Sequence, residues 1–206
     1  MSSSGLFRWA GLAGIAGAVL LVIGFLVHPP ETAEGVKSAM WGPAHTLLFV
    51  SLLLSVPAVF GLYLRQATQT STMGFLGFIL GFVGMMGFTG ITYVEAFVTP
   101  TLVATAPAVV EGMFSGQMSG PLNTILPLTG LLFALGWVLF GIATARAGVF
   151  PRTAAILSLV GAIPFGLGPL VPQAIAKIAT IVFGIGIAWL GNALRSNSTG
   201  GWSPPR

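Results

Sequence analysis

Few side chains in this protein can do acid–base or metal chemistry. They are two histidines, His28 and His45, four glutamates, Glu31, Glu34, Glu95 and Glu111, and two tyrosines, Tyr63 and Tyr93. Cysteine is absent, which removes thiolate nucleophiles, disulfides, iron–sulfur clusters and Cys-based zinc sites. Two imidazoles and a carboxylate suffice in principle for proton transfer or for binding a metal ion. His28, His45 and Glu95 are therefore the candidate metal ligands. No metal or other cofactor is assigned to them, because no HExxH-like spacing places two ligands on one helix face. A haem between the histidines would need them to face each other across an opening. Tyr93, two residues before Glu95, and Asn123 are further candidates for a ligand or proton role. Walker, nucleophile-elbow and Rossmann motifs are missing, as are an arginine ladder and a TVGYG-like filter.

These residues must be positioned by a membrane-type scaffold. The chain has 206 residues, 55% hydrophobic and 6% charged, against about 25% charged residues in soluble domains. Six continuous apolar stretches stand out, at 9–27, 44–64, 74–98, 122–145, 153–171 and 175–194. Each is close to the ~20 residues a helix needs to cross the hydrocarbon core. Continuous runs, rather than short alternating ones, predict helices and not a membrane barrel. The expected fold is an all-α, multi-pass bundle in a single transmembrane domain, residues 1–195, followed by a flexible tail, 196–206. The expected location is the cell membrane.

Charge sets the orientation. With the N-terminus inside, the cytoplasmic segments carry Arg8, Arg65, Arg146, Arg152, Arg195 and Arg206, and the outer ones only Lys37 and Lys177. The positive-inside rule then predicts both termini on the cytoplasmic side. The net charge of +4 comes from scattered arginines. They suit contact with anionic lipid, and no nucleic-acid partner is expected. The same orientation collects His28, His45, Tyr93, Glu95 and Glu111 at the outer end.

Glu95 is the most informative of these. Gly74, Gly77, Gly81 and Gly84 recur at three and four residues, which places them on one helix face. Such a face lets a neighbouring backbone approach closely, within this chain, in self-association or against another membrane protein. Gly130 with Ala134 and Gly184 with Ala188 repeat the pattern. The same spacing carries the face on through Phe88 and Ile91 to Glu95. Three readings of Glu95 stand open: a carboxylate snorkelling to the headgroups, a structural partner of His45, or a functional group. His45 is its expected partner if the second and third spans pack side by side. Asn123 has the alternative reading of a helix cap after Pro121.

The outer loops are the long ones, 28–43 and 99–121, and 108–114 within the second reads as a short interfacial helix. Pro57, Pro127 and Pro164 fall inside spans and predict kinks. The fifth span reads GAIPFGLGPLVP from Gly161, so it is expected to be short, bent or partly unwound at its outer end. Trp9, Trp41, Trp137 and Trp189 lie in or beside spans, and several suit an interfacial belt.

One stretch carries a resemblance. Phe140-Gly141, then Gly148-Val149-Phe150-Pro151-Arg152, then a helix bearing Gly161, is similar to a pattern in uncharacterised bacterial six-helix membrane proteins. The resemblance implies the six-helix count and a cytoplasmic turn at Arg146 and Arg152. It implies no activity. Gly148 is suited to ending a helix and Pro151 to starting one.

The scarcity of polar groups and the small-residue faces lead to a first expectation of a non-catalytic accessory or interaction protein. One alternative is an outward-facing binder or transporter of a small apolar or lipid-like ligand using Glu95. Another is a membrane enzyme with a His/Glu site at the outer face.

Overall fold

The computed structural model describes residues 3–116 and 120–196, and the expected tail beyond Ser196 lies outside them. All regular elements among the described residues are helical. Five long helices carry the continuous apolar runs: α1 (Ser3–Leu26), α3 (Trp41–Gln66), α4 (Thr72–Phe97), α7 (Leu122–Ala147) and α9 (Gln173–Ser196). Each is long and apolar enough to cross a membrane. α8 (Arg152–Gly166) has 15 residues and passes into a 3-10 turn at Gly168–Leu170. Three short helices lie between the long ones: α2 (Ala33–Val36), α5 (Thr99–Thr105) and α6 (Pro107–Phe114). The last includes the short helix expected at 108–114.

Local chemistry sets the helix ends. Ser71 caps α4 by accepting from the Met73 N–H at 3.3 Å. Gly148 ends α7 at φ +70°, the left-handed conformation that glycine adopts without a Cβ penalty. Arg65, Arg146 and Arg195 occupy the last turns of α3, α7 and α9, where a cation meets the negative end of the helix dipole. Pro121 sits at the start of α7 with no side-chain cap, so Asn123 does not cap this helix. Pro57, Pro127 and Pro164 lie inside α3, α7 and α8.

The helices close into a ring in chain order, α1–α3–α4–α7–α8–α9, with α9 returning to α1. Glycine contacts show that neighbours run antiparallel. Along α4, Gly77, Gly81 and Gly84 abut Phe140, Gly136 and Phe133 of α7 in descending order. The expected glycine face is thus buried within the chain against α7, except that Gly74 faces Thr70. Gly11 meets Gly191 across α1 and α9, and Gly130 meets Gly166 across α7 and α8. Lipid is as apolar as these side chains, so close backbone packing rather than water exclusion holds such helices together.

Aromatic rings fill the interior. Phe133, Phe165, Phe183 and Trp137 interlock, with Trp137 edge-on to Phe183 at 5.0 Å. Space in the middle is small: a cavity of about 20 Å³ beside Ser51, Ser55, Met85 and Trp137, room for about one water molecule. A separate small core of Val36, Trp41, Val103 and Val110 lies under α2, α5 and α6. These short helices roof the end of the bundle where α1 and α4 finish and α3 begins.

Candidate functional site

Both histidines and Glu95 meet beneath this roof. His28 follows the end of α1 and His45 sits in the second turn of α3. Their Nε2 atoms face each other at 3.0 Å. The Glu95 carboxylate, in the last turns of α4, brings Oε2 to 3.4 Å from His45 Nε2. His45 is fully buried, whereas the Glu95 side chain keeps 17% exposure. Glu95 therefore leans onto α3 instead of extending to solvent.

The backbone fixes each ring. His45 Nδ1 lies 2.8 Å from the Trp41 carbonyl, one turn back on α3. His28 Nδ1 lies 2.6 Å from the Pro29 carbonyl. A carbonyl only accepts, so both Nδ1 atoms carry the hydrogen and donate it. In the neutral imidazole that leaves a lone pair on each Nε2. The two lone pairs point toward one another.

Trp41 is the clasp. It is 1% exposed, and its indole Nε1 donates to the Glu95 carbonyl at 2.7 Å. That carbonyl belongs to the last four residues of α4, which have no partner within their own helix. The Trp41 ring also lies over His45, with centroids 4.1 Å apart, and Phe114 of α6 meets it edge-on. Phe25 stacks on His28. The imidazoles thus have aromatic walls.

The charged groups around the site are few. Glu111 on α6 accepts from the Ala33 N–H at 3.1 Å and ties the roof together. Lys177 at the start of α9 donates to the Leu26 carbonyl at 3.2 Å and closes the end of α1. Glu34 and Lys37 pair at 2.9 Å on the exposed surface. Glu31 reaches solvent, yet the protein around its carboxyl removes hydration and pushes its pKa above the ordinary value. Burial holds the His28 imidazole below its ordinary pKa; the Pro29 carbonyl acts the other way, and Lys177 adds to the depression.

Of the other sequence candidates, Tyr93 is exposed and packs on Phe49 and Phe97. Asn123 is exposed in the first turn of α7. Neither joins the cluster. The two histidine rings are too close to admit a porphyrin plane. Among the described residues no group of three or more His, Asp or Glu side chains is arranged to hold a metal ion, and no residue here is assigned as a metal ligand.

Trp41 is not among the residues the sequence singles out for chemistry; it is one of four tryptophans in or beside spans, several of which suit an interfacial belt. Trp9 fits that reading at 63% exposure, but Trp41 and Trp137 are buried. The available signal was its position four residues before His45, which puts both on one helix face.

No family model, curated protein or solved structure matches the chain.

Proposed function

We propose that this is a six-crossing protein of the cell membrane, with both termini on the cytoplasmic side, whose outer end binds a small cation. The sixth crossing is α8 with its 3-10 turn. Fifteen residues of α-helix rise about 22 Å, and three of 3-10 helix add about 6 Å, close to the ~30 Å hydrocarbon core. Arg8, Arg65, Arg146, Arg152 and Arg195 belong to one end of the bundle, which supports a cytoplasmic assignment for that end. All four glutamates belong to the opposite end, with two lysines. That end carries an excess of carboxylate and favours cations.

The observation that carries the binding reading is the approach of the two Nε2 atoms at 3.0 Å. Both histidines of the chain, from segments 17 residues apart, are turned by backbone carbonyls to present lone pairs to one place. A helix-packing role alone gives no reason for that convergence. The small-residue face that could serve a partner is packed on α7 of the same chain, which weighs against an accessory role.

The test is thermal unfolding of the full chain in lipid, across pH and with added zinc or magnesium, for wild type and His45→Ala. A ligand that binds only the folded state at 100 times its Kd stabilises by about 2.7 kcal/mol. The expected result is a cation-dependent midpoint in wild type that His45→Ala flattens. Superimposable dependences would make the cluster a structural clasp and return the accessory role to the lead.

A further inference from the structure

We infer that the outer site is a proton site: His28 and His45 share one proton between their Nε2 atoms, with the Glu95 carboxylate as its counter-charge. This rests on the cation-binding reading above and names the cation.

Each Nδ1 hydrogen is committed to a carbonyl, at 2.6 Å for His28 and 2.8 Å for His45. Two neutral rings so oriented would press lone pair against lone pair at 3.0 Å. That separation is instead an ordinary donor–acceptor distance for a hydrogen bond between two nitrogens. A single added proton converts the repulsive contact into a charge-assisted hydrogen bond, which is about twice as strong as a neutral one. Moving one ring's hydrogen from Nδ1 to Nε2 does not help, because it would set a bare Nδ1 against a carbonyl oxygen.

Distance decides where the proton rests. The gap from His45 Nε2 to Glu95 Oε2 is 3.4 Å, beyond the usual hydrogen-bond range of about 2.7–3.2 Å. The gap between the rings is within it. The proton therefore lies between the rings, and Glu95 acts through its charge. A protonated imidazole pair beside one carboxylate is neutral as a set. Neutrality matters here, because an isolated charge is costly to bury. Aromatic rings add to the balance: Trp41 lies over His45 and Phe25 stacks on His28, and a cation over an aromatic face is attracted to it.

Every charged neighbour has a place in this balance. Glu31 adds negative charge from the connection after α1. Lys177 on α9 opposes the proton at His28. Glu111 on α6 is engaged with Ala33, and Glu34 with Lys37 on α2. His28 and Glu95 are both partly exposed, whereas His45 is fully buried, so the site meets solvent at His28 and Glu95. A proton arriving from outside is taken up by an Nε2 lone pair and held in the His28–His45 hydrogen bond, with Glu95 as its counter-charge. It leaves by the same steps, and no bond other than those to hydrogen is made or broken.

The consequence is mechanical as well as chemical. His28 terminates α1 and His45 opens α3, so the shared proton latches these two helices at the outer end. Its loss restores the lone-pair repulsion and releases the latch.

The experiment is nitrogen NMR of the full chain in lipid vesicles, labelled with 15N only in histidine, titrated from about pH 8 to about pH 4.5. Two histidines give two resolvable rings. The expected result is that both Nδ1 atoms stay protonated throughout, while both Nε2 resonances move together in one proton uptake. Glu95→Gln, which keeps shape but removes the charge, shifts that uptake at least about one pH unit lower. Independent titration of the rings, an Nε2-protonated neutral ring, or Nε2 signals that do not respond to pH would each overturn the proposal. So would stoichiometric metal whose removal by chelator moves the Nε2 resonances; that outcome would leave the cation site standing and replace the proton by the metal. The wild-type titration is decisive even if a variant fails to fold.

Discussion

Replacing Trp41 by phenylalanine separates the clasp from the space it fills. The phenyl ring keeps much of the packing on His45 and Phe114, but the indole N–H is lost. In the native protein that N–H donates to the Glu95 carbonyl at 2.7 Å, in a last turn of α4 that has run out of helical donors. Removing it forfeits a net hydrogen bond of about 0.5–1.5 kcal/mol and leaves a carbonyl without that partner, at about 1–3 kcal/mol for a fully buried group. The second range describes this case, and together with the smaller ring's lost packing the expected loss is about 1.5–3 kcal/mol. For a chain of this size each kcal/mol moves the midpoint by about 2–4 °C. Trp41→Phe should therefore unfold about 3–12 °C below wild type in the same lipid. Trp9→Phe is the control, because Trp9 is 63% exposed and its change should be within experimental error. A Trp41→Phe midpoint indistinguishable from wild type would refute the claim that the indole bond anchors the end of α4 to α3.

The ring of helices makes a sharp contrast between glycines. A Cβ at Gly136 would collide with the backbone of Gly81, so Gly136→Val should force α4 and α7 apart and abolish a folded monomer in size-exclusion analysis. At Gly90 a Cβ meets nothing within 4 Å, so Gly90→Ala should be neutral or stabilise by up to about 1 kcal/mol through helix propensity. Glu31 supplies a pH test. Its folded pKa is raised, so the folded state binds the proton more tightly than the unfolded chain, and stability falls as pH rises from the unfolded value through the folded one. Glu31→Gln should then be more stable than wild type at neutral pH, by under about 1 kcal/mol because the residue reaches solvent. The difference should vanish near pH 4 in parallel thermal melts.

The long helices were legible in the sequence because a span is a property of one continuous segment. Apolar runs fix the length of such a helix without reference to any other part of the chain. The approach of His45 to Glu95 was legible for a related reason: α3 and α4 are joined by a short turn, so their facing ends are set by the chain itself. His28 is different. Its place depends on how the connection through α2 folds back, and no periodicity runs through that segment. Trp41 was hidden by its type, since a tryptophan at a span edge is usual in an interfacial belt, and only the roof of α5 and α6 buries it. The glycine spacing placed Glu95 on an inward face of α4. It could not say that this face is shared, with the glycines on α7 and the carboxylate reaching α3.

The distribution of polar groups ties fold to function. The interior is built of interlocked aromatics beside a cavity with room for about one water molecule. The short helices and both long connections lie at one end, where they enclose a site from four parts of the chain: the end of α1, the start of α3, the end of α4 and the roof. Burying two imidazoles and a carboxylate there is costly unless they satisfy one another. Two neutral imidazoles cannot do so in the observed orientation, because both hydrogens are spent on carbonyls. One proton resolves all three groups at once. The close-packed ring of helices gives the rigidity that holds the two Nε2 atoms at hydrogen-bonding distance, and the partly exposed His28 and Glu95 give the site its access to solvent. The shared proton is then a component of the closed roof end of the bundle, and conditions that remove it should loosen α1 from α3 before they disturb the glycine-packed α4–α7 pair.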